Sequence, residues 1–174
     1  FYGKGLSGLK EMKPLWKRSI DYVNSQLGEL LGLEFCKKYF TDKSKSKCLK
    51  MVNYIIEELG NRLSENDWMD NDTKTKALEK LSKIRVKIGY PSVEGRRDFS
   101  ELKLDSSKTF LENHCMMNKF DTVFNVNELN TKKNKERFHM YPHMVNAYYS
   151  PVNNEIVFPA GILQQPFFDG NKEM

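Results

Sequence analysis

The chain has 174 residues, enough for one domain or for parts of two, with 29% charged and 39% apolar side chains. This balance favours long amphipathic helices with solvated faces over a compact sheet protein. It also leaves no apolar run long enough for a signal peptide or a membrane span. The net charge of +5 originates in the first third, since residues 1–50 carry 11 basic and 5 acidic side chains.

The most basic stretch, Lys43 to Lys50, has two interpretations. A cluster of lysines can bind nucleic acid or a membrane surface. It can also be the first turns of a helix, which Thr41 or Asp42 would cap. No aromatic residue interleaves with these lysines. We therefore predict a helix start and no nucleic-acid partner.

The spacing of apolar residues predicts a mostly helical chain. The third of the predicted helices begins at Asp70 or Asp72, includes Ile84, and is ended by the Gly89-Tyr90-Pro91 sequence. A polar, ambiguous stretch follows the fourth helix at 125–137. The predicted helices cover about 14–31, 42–63, 70 to the stop at 89, and 107–120.

A β-hairpin is predicted at the end of the chain. Residues 145–150 alternate in character, 150–154 have turn chemistry, and 155–158 alternate again before a Pro-Ala-Gly stop. An apolar cluster follows, formed by Ile162, Leu163, Phe167 and Phe168. The predicted fold class is therefore mostly α with a C-terminal β-hairpin.

The hairpin sequence is similar to that of a known family. VNAYYSP at 145–151 and NEIVFPAGILQQPFF at 154–168, together with PLWKR at 14–18, DWMD at 67–70 and KIGYP at 87–91, resemble the neprilysin and endothelin-converting enzyme family of zinc metallopeptidases. The resemblance implies a fragment of a larger neprilysin-like ectodomain. Residues 1–137 would be its mainly helical part, and residues 138–174 its substrate-strand hairpin and the start of the thermolysin-like catalytic subdomain.

The resemblance also implies a way to bind peptides. In the family, a peptide substrate adds itself as an extra strand to the edge that this hairpin provides. Asn146 matches an asparagine whose amide bonds the substrate backbone, Ala147 a residue that offers main-chain contacts, and Tyr148 an aromatic residue beside the substrate. Ile162 and Phe167 match positions that line the apolar pocket for the residue just after the cleaved bond.

The zinc ligands of that family are not found in this sequence. The family holds zinc through H-E-x-x-H on a helix and a later glutamate, which would follow this segment. No H-E-x-x-H occurs, and the histidines are His114, His139 and His143. His139 and His143 have i,i+4 spacing, but Pro142 between them disfavours a helix. We therefore predict no catalytic or metal-binding residue here and no bound zinc, although the intact relative would carry zinc.

Localisation rests on the resemblance, which implies a secreted or membrane-anchored ectodomain at the cell surface or outside the cell. The Asn71-Asp72-Thr73 sequon is compatible with it. Cys36, Cys48 and Cys115 make an odd count, so at least one is unpaired, and Cys36 could pair with Cys48. However, Ser19 stands where many family members have a cysteine.

Two functions from different classes remain open. The chain is either part of a zinc metalloendopeptidase that cleaves peptides, to which it supplies the substrate strand and part of a pocket, or a non-catalytic helical binding or structural fragment. In the first case its partners are peptide substrates and the catalytic segment with the zinc ligands. In both cases we predict that the 174 residues alone are inactive.

Overall fold

A computed structural model describes residues 2–172 of the chain. Within them, helices dominate and a small sheet lies toward the C-terminus, so the predicted fold class is confirmed. A π-helical turn at Tyr2–Leu6 and a 3₁₀ turn at Val93–Gly95 complete the regular structure. The elements are α1 Leu15–Tyr39, α2 Asp42–Glu65, α3 Asn71–Ser82, β1 Arg85–Gly89, α4 Phe110–Glu128, β2 Tyr148–Ser150 and β3 Glu155–Pro159.

Helix α1 is longer than predicted and bent. It continues past residue 31 to Tyr39, and its backbone departs from helical geometry at Leu27, with φ −121° and ψ 22°. Gly28 and Gly32 follow the bend on one helix face. A Cβ atom on them would lie 2.3 Å from the Tyr141 ring and 2.4 Å from Pro142 Cδ, respectively. Glycine at both positions therefore lets the segment before β2 pack directly on the α1 backbone.

Helix starts follow the capping chemistry of the sequence. The Thr41 hydroxyl accepts a hydrogen bond from the Ser44 amide at 3.1 Å, and the Asp70 carboxylate accepts one from the Thr73 amide at 2.7 Å. Thr109 caps α4 in a reciprocal capping box with Glu112. These contacts confirm helix starts at α2 and α3 and place the start of α4 at Phe110, three residues later than predicted.

The predicted third helix was wrong at its C-terminal end. Helix α3 stops at Ser82, and Arg85–Gly89 forms the strand β1 instead. Val86 and Ile88 alternate with charged residues, which suits a strand. Gly89 has a positive φ of 79°, and a Cβ there would lie 2.4 Å from the Phe40 ring. The end of β1 therefore needs glycine for its conformation and for close packing.

The sheet has the strand order β1-β3-β2. Strands β1 and β3 are parallel, with Arg85 opposite Glu155, whereas β2 and β3 are antiparallel, with Tyr148 opposite Val157. The predicted hairpin is therefore confirmed, although β2 begins three residues later than the predicted strand. The division predicted at residue 137 stays a prediction, and the sheet contains strands from both sides of it.

The core lies between the end of α1, α2 and the sheet. Its buried members are Cys36, Phe40, Cys48, Val52, Ile88, Ala160 and Leu163. All three cysteines are free, with Cys36 and Cys48 buried and Cys115 exposed, so the disulfide left open from the sequence is not formed. Burial raises the pKa of the Cys36 and Cys48 thiols to about 11, and they act as small apolar residues.

Among the helices of residues 2–172, none combines the length and the hydropathy that a transmembrane span requires.

Candidate functional site

The strand β2 is an edge of the sheet. It pairs with β3 on one side, and none of the strands in the described part of the chain pairs with its other side. Such an edge offers main-chain donors and acceptors to an added strand. The geometry is set by a local feature of the sequence. The turn at 151–154 reverses the chain, so β3 runs antiparallel to β2.

Asn146 and Ala147 lie immediately before β2, as a continuation of the edge. The Asn146 side chain is exposed, and its Oδ1 accepts a hydrogen bond from the Ala147 amide at 2.8 Å. The carboxamide is thus held along the chain rather than buried. A peptide arriving at this edge would meet a group that both donates and accepts hydrogen bonds.

Tyr148 is turned toward the protein. Its hydroxyl oxygen accepts a hydrogen bond from the His139 amide at 3.0 Å, and the two rings lie 6.1 Å apart. Burial is the main cause that raises the pKa of the Tyr148 hydroxyl above its ordinary value. The structure therefore connects this predicted site residue to the loop before β2.

Ile162 and Phe167 occupy different environments. Ile162 is half-buried and packs against the core, whereas the Phe167 side chain is 70% exposed. Phe167 lines a groove of about 810 Å³ against α2, together with Tyr54 and Ile55. Asn146, Ala147 and Tyr148 do not line this groove, so the structure does not bring all five predicted residues together.

The turn before β3 is fastened by Asn154. This residue has a positive φ of 47°, and its side-chain amide donates to the Lys80 carbonyl at 2.8 Å. Its Oδ1 accepts a hydrogen bond from the Tyr149 hydroxyl at 3.0 Å, and its carbonyl accepts one from the Arg85 amide at 2.9 Å. One residue therefore connects the hairpin to β1 and to the end of α3.

The described residues do not fit a zinc site. Among residues 2–172 no three His, Cys, Asp or Glu side chains come close enough to share a metal ion. The His143 ring stacks on Tyr141, with centroids 6.0 Å apart, and burial lowers the pKa of His143. His139 contacts Tyr148 instead. The described residues therefore contain no set of ligands for the zinc of the family that the sequence resembles.

Sequence reasoning missed a buried ion pair beside the edge strand. Lys87 in β1 and Glu155 in β3 are 7% and 1% exposed, and their charged atoms lie 2.8 Å apart. The available signal was a single lysine between Val86 and Ile88 in a short alternating stretch. A charge in that position is rarely buried unless it has a partner.

The comparisons with known proteins define the class. The profile of the N-terminal part of peptidase family M13 matches residues 1–91, more than half of the chain, and the M13 peptidase profile matches residues 146–174. The fold agrees, because the zinc metalloprotease ZMP1 of Mycobacterium tuberculosis in its open state superposes with a TM-score of 0.90 at 34% identity over 99% of this chain and 26% of that one. The chain belongs to peptidase family M13, a family of metallopeptidases.

Curated relatives carry the names expected from the resemblance, which is thereby confirmed. The chain is 37% identical over 167 residues to a neutral endopeptidase of Lactococcus lactis, covering 96% of this chain and 26% of that protein. It is 34% identical over 173 residues to neprilysin-3 of Drosophila melanogaster, covering 97% of this chain and 22% of that protein. The chain thus spans about a quarter of the length of these relatives.

Proposed function

We propose that this chain is the part of an M13 zinc endopeptidase that presents the peptide-binding edge. The observation that carries the proposal is the position of Asn146, exposed and directly before an edge strand whose outer side is free within the described residues. A peptide docks there as an added strand. Its backbone bonds to β2 give affinity for many sequences, and neighbouring pockets give preference.

We propose that Phe167 is the main wall of the pocket for the residue just after the cleaved bond. Its exposed ring offers apolar surface, and burying one large apolar side chain against such a wall contributes about 1.5–3 kcal/mol. We also assign Ile162 to this pocket; it lies five residues before Phe167 and packs against the core. The pocket would favour large apolar side chains after the cleaved bond.

The chemistry is proposed for the intact protein. Zinc, when bound there, activates the water that attacks the peptide bond. The described residues lack a set of zinc ligands, and we assign them the task of binding and orienting the peptide. We also propose an extracellular or cell-surface location, for which the exposed Asn71 of the sequon offers an acceptor at the start of α3.

The test is peptide hydrolysis by the protein expressed from its complete gene. We expect cleavage of a fluorogenic peptide with a large apolar residue after the scissile bond, loss of cleavage with 1,10-phenanthroline, and recovery with added Zn²⁺. The purified 174-residue chain should show neither stoichiometric zinc nor turnover. If the complete protein shows no chelator-sensitive cleavage, the endopeptidase proposal fails and the non-catalytic alternative stands. Turnover by the 174 residues alone would overturn their predicted inactivity.

A further inference from the structure

The buried ion pair lies across the centre of the sheet. Lys87 is opposite Val157 in the parallel pairing, and Val157 is opposite Tyr148 in the antiparallel pairing. These three residues form one row across β1, β3 and β2. Val157 in the middle is fully buried, so the row is covered by other parts of the protein.

The segment 137–139 contacts both ends of this row. The Lys87 ammonium donates a hydrogen bond to the Arg137 carbonyl at 2.8 Å and lies 5.8 Å from the centre of the Phe138 ring. It therefore holds the first residue of the segment while its charge is balanced by Glu155. The Glu155 carboxylate is fixed in turn by the side chain of Asn153, whose amide Nδ2 donates a hydrogen bond to it at 3.2 Å.

The other end of the segment is held from β2. The Tyr148 hydroxyl accepts a hydrogen bond from the His139 amide, so the side chain of the edge strand reaches the same face as Lys87. Lys87 and Tyr148 thus fasten residues 137 and 139 from the two outer strands. The chain between this segment and β2 has only eight residues, 140–147, and includes Asn146 and Ala147.

That connecting chain is also held tightly. The Gly161 amide donates to the Pro142 carbonyl at 2.8 Å, and a Cβ on Gly161 would lie 2.4 Å from the His143 carbonyl oxygen. Because residues 137–139, 142–143 and 148 are all held by these contacts, residues 144–147 have little conformational freedom. The placement of Asn146 therefore depends on the anchors at both ends.

We propose that Lys87, Glu155 and Tyr148 act as a clamp, in which they are positioning residues for the peptide-binding edge. The clamp fixes β2 against residues 137–139 and thereby sets where Asn146 and Ala147 meet a peptide. The inference rests on the proposed function, in which the peptide adds to β2. In this arrangement Tyr148 anchors the inner face of β2. The Lys87–Glu155 ion pair positions residues 137–139 in addition to stabilising the sheet.

Two variants test the clamp in the protein expressed from its complete gene. Tyr148→Phe removes only the hydroxyl that binds the His139 amide. The double substitution of Lys87→Met and Glu155→Leu replaces the pair with apolar side chains, a change that folded proteins often tolerate. In both variants we expect amide hydrogen exchange at 137–149 to rise about tenfold, and KM for the peptide to rise roughly 3- to 10-fold with kcat nearly unchanged, because binding is weakened without altering the chemistry.

Tyr22→Phe is the matched control. It also removes a tyrosine hydroxyl that makes one hydrogen bond, to the His114 ring at 2.8 Å, but Tyr22 lies on α1, outside β2 and outside the clamp. We expect normal KM and normal exchange at 137–149 in this control, whatever its thermal stability. The clamp is refuted if Tyr148→Phe and the double variant fold but keep the KM and the exchange of the unmodified protein. It is also refuted if Tyr22→Phe raises KM as much as Tyr148→Phe does.

The two readouts separate this inference from the proposed function. If no form of the protein cleaves peptides, the proposed function fails, and the peptide-positioning part of the clamp fails with it. Exchange at 137–149 still decides whether the three side chains hold β2 against residues 137–139. If cleavage occurs but the variants change neither readout, the clamp alone is wrong.

Discussion

At the scale of single residues, the proposed function requires Asn146 to exchange its local hydrogen bond for one to a peptide. Its side-chain oxygen accepts a hydrogen bond from the neighbouring Ala147 amide, and the side chain is exposed to solvent. A peptide bound along the edge would replace this local bond and water with bonds to its own backbone. The net gain per hydrogen bond is modest in such an exchange, but an unpaired group left in a closed site is costly.

Replacing Asn146 with alanine should therefore weaken peptide cleavage by the protein from the complete gene. We expect kcat/KM to fall by roughly 5- to 150-fold, corresponding to about 1–3 kcal/mol when the vacated partner stays unsatisfied. Steady-state kinetics on a fluorogenic peptide measure the change. Asn127→Ala, at an exposed position near the end of α4, is the matched control and should leave kcat/KM unchanged. Equal kinetics for Asn146→Ala and the unmodified protein, with intact folding, would remove Asn146 from the site.

At the scale of elements, the hairpin depends on one turn residue. Asn154 combines a left-handed backbone with side-chain bonds to the Lys80 carbonyl and the Tyr149 hydroxyl. Asparagine tolerates this conformation better than most residues, and its short amide can reach both partners. The turn thereby aligns β2 and β3 with the end of α3.

Two substitutions at Asn154 separate these contributions. Asn154→Gly keeps the backbone conformation and loses the two side-chain bonds, at about 0.5–1.5 kcal/mol each. Asn154→Ala loses the same bonds and adds strain of about 1–2 kcal/mol in the left-handed region. We expect the free energy of unfolding, from urea titrations, to fall in the order unmodified, glycine variant, alanine variant. An alanine variant as stable as the glycine variant would show that backbone strain has no part in the turn.

The elements also show what local sequence can and cannot predict. Helix α2 was predicted nearly to its ends because a Thr41 cap and a regular apolar stripe are both local signals. Strand β1 was assigned to the preceding helix. Its five residues carry a weak pattern, and their state is decided by pairing with β3, 70 positions away in the sequence. Glu155, the partner of Lys87, lies 68 positions away and was missed for the same reason.

The candidate site, like the helices and strands, was predictable from the sequence only in part. The hairpin followed from alternation and turn residues, whereas the tasks expected of Asn146, Ala147 and Phe167 came from resemblance. The inward direction of Tyr148 needed the fold, because its partner His139 lies in a stretch without helical or strand periodicity. The separation of Phe167 from the edge likewise depends on how residues 160–168 cross the core.

At the scale of the whole molecule, apolar surface remains exposed along α1 and α2. Trp16 and Ile20 on α1 are 61% and 51% exposed, and Tyr54 and Ile55 on α2 are 53% and 60% exposed. Rows of this kind are typical of surfaces that contact further protein. We therefore expect the 174 residues alone to be marginally stable and prone to aggregation.

Stability should also depend on pH through Glu155. Burial acts to raise the pKa of this carboxyl, but the hydrogen bonds from Lys87 and Asn153 and the charge of Lys87 together hold it below the ordinary value of 4.5. A carboxyl with a lowered folded pKa contributes stability that is present above its unfolded pKa and is lost as the pH falls through the folded value. The free energy of unfolding should therefore decline as the pH falls below 4.5.

Urea titrations from about pH 7 to about pH 3 measure this dependence. Glu155→Gln should be less stable at neutral pH, because Lys87 loses its charged partner, and should lose less stability on acidification. Glu57→Gln, at an exposed position on α2, is the matched control and should keep the acid dependence of the unmodified protein. An unchanged acid dependence in Glu155→Gln would contradict the assignment.

The position of β3 in the centre of the sheet has a consequence for the order of folding. Strands β1 and β2 both pair with β3, and both precede it in the chain. During synthesis, Val86 and Ile88 emerge long before Glu155–Pro159 can pair with β1. Non-local parallel pairing of this kind is slow to form and leaves strand edges open in the meantime. The nascent chain is therefore most exposed to misassembly after its helices can form and before β3 is available to pair with β1 and β2.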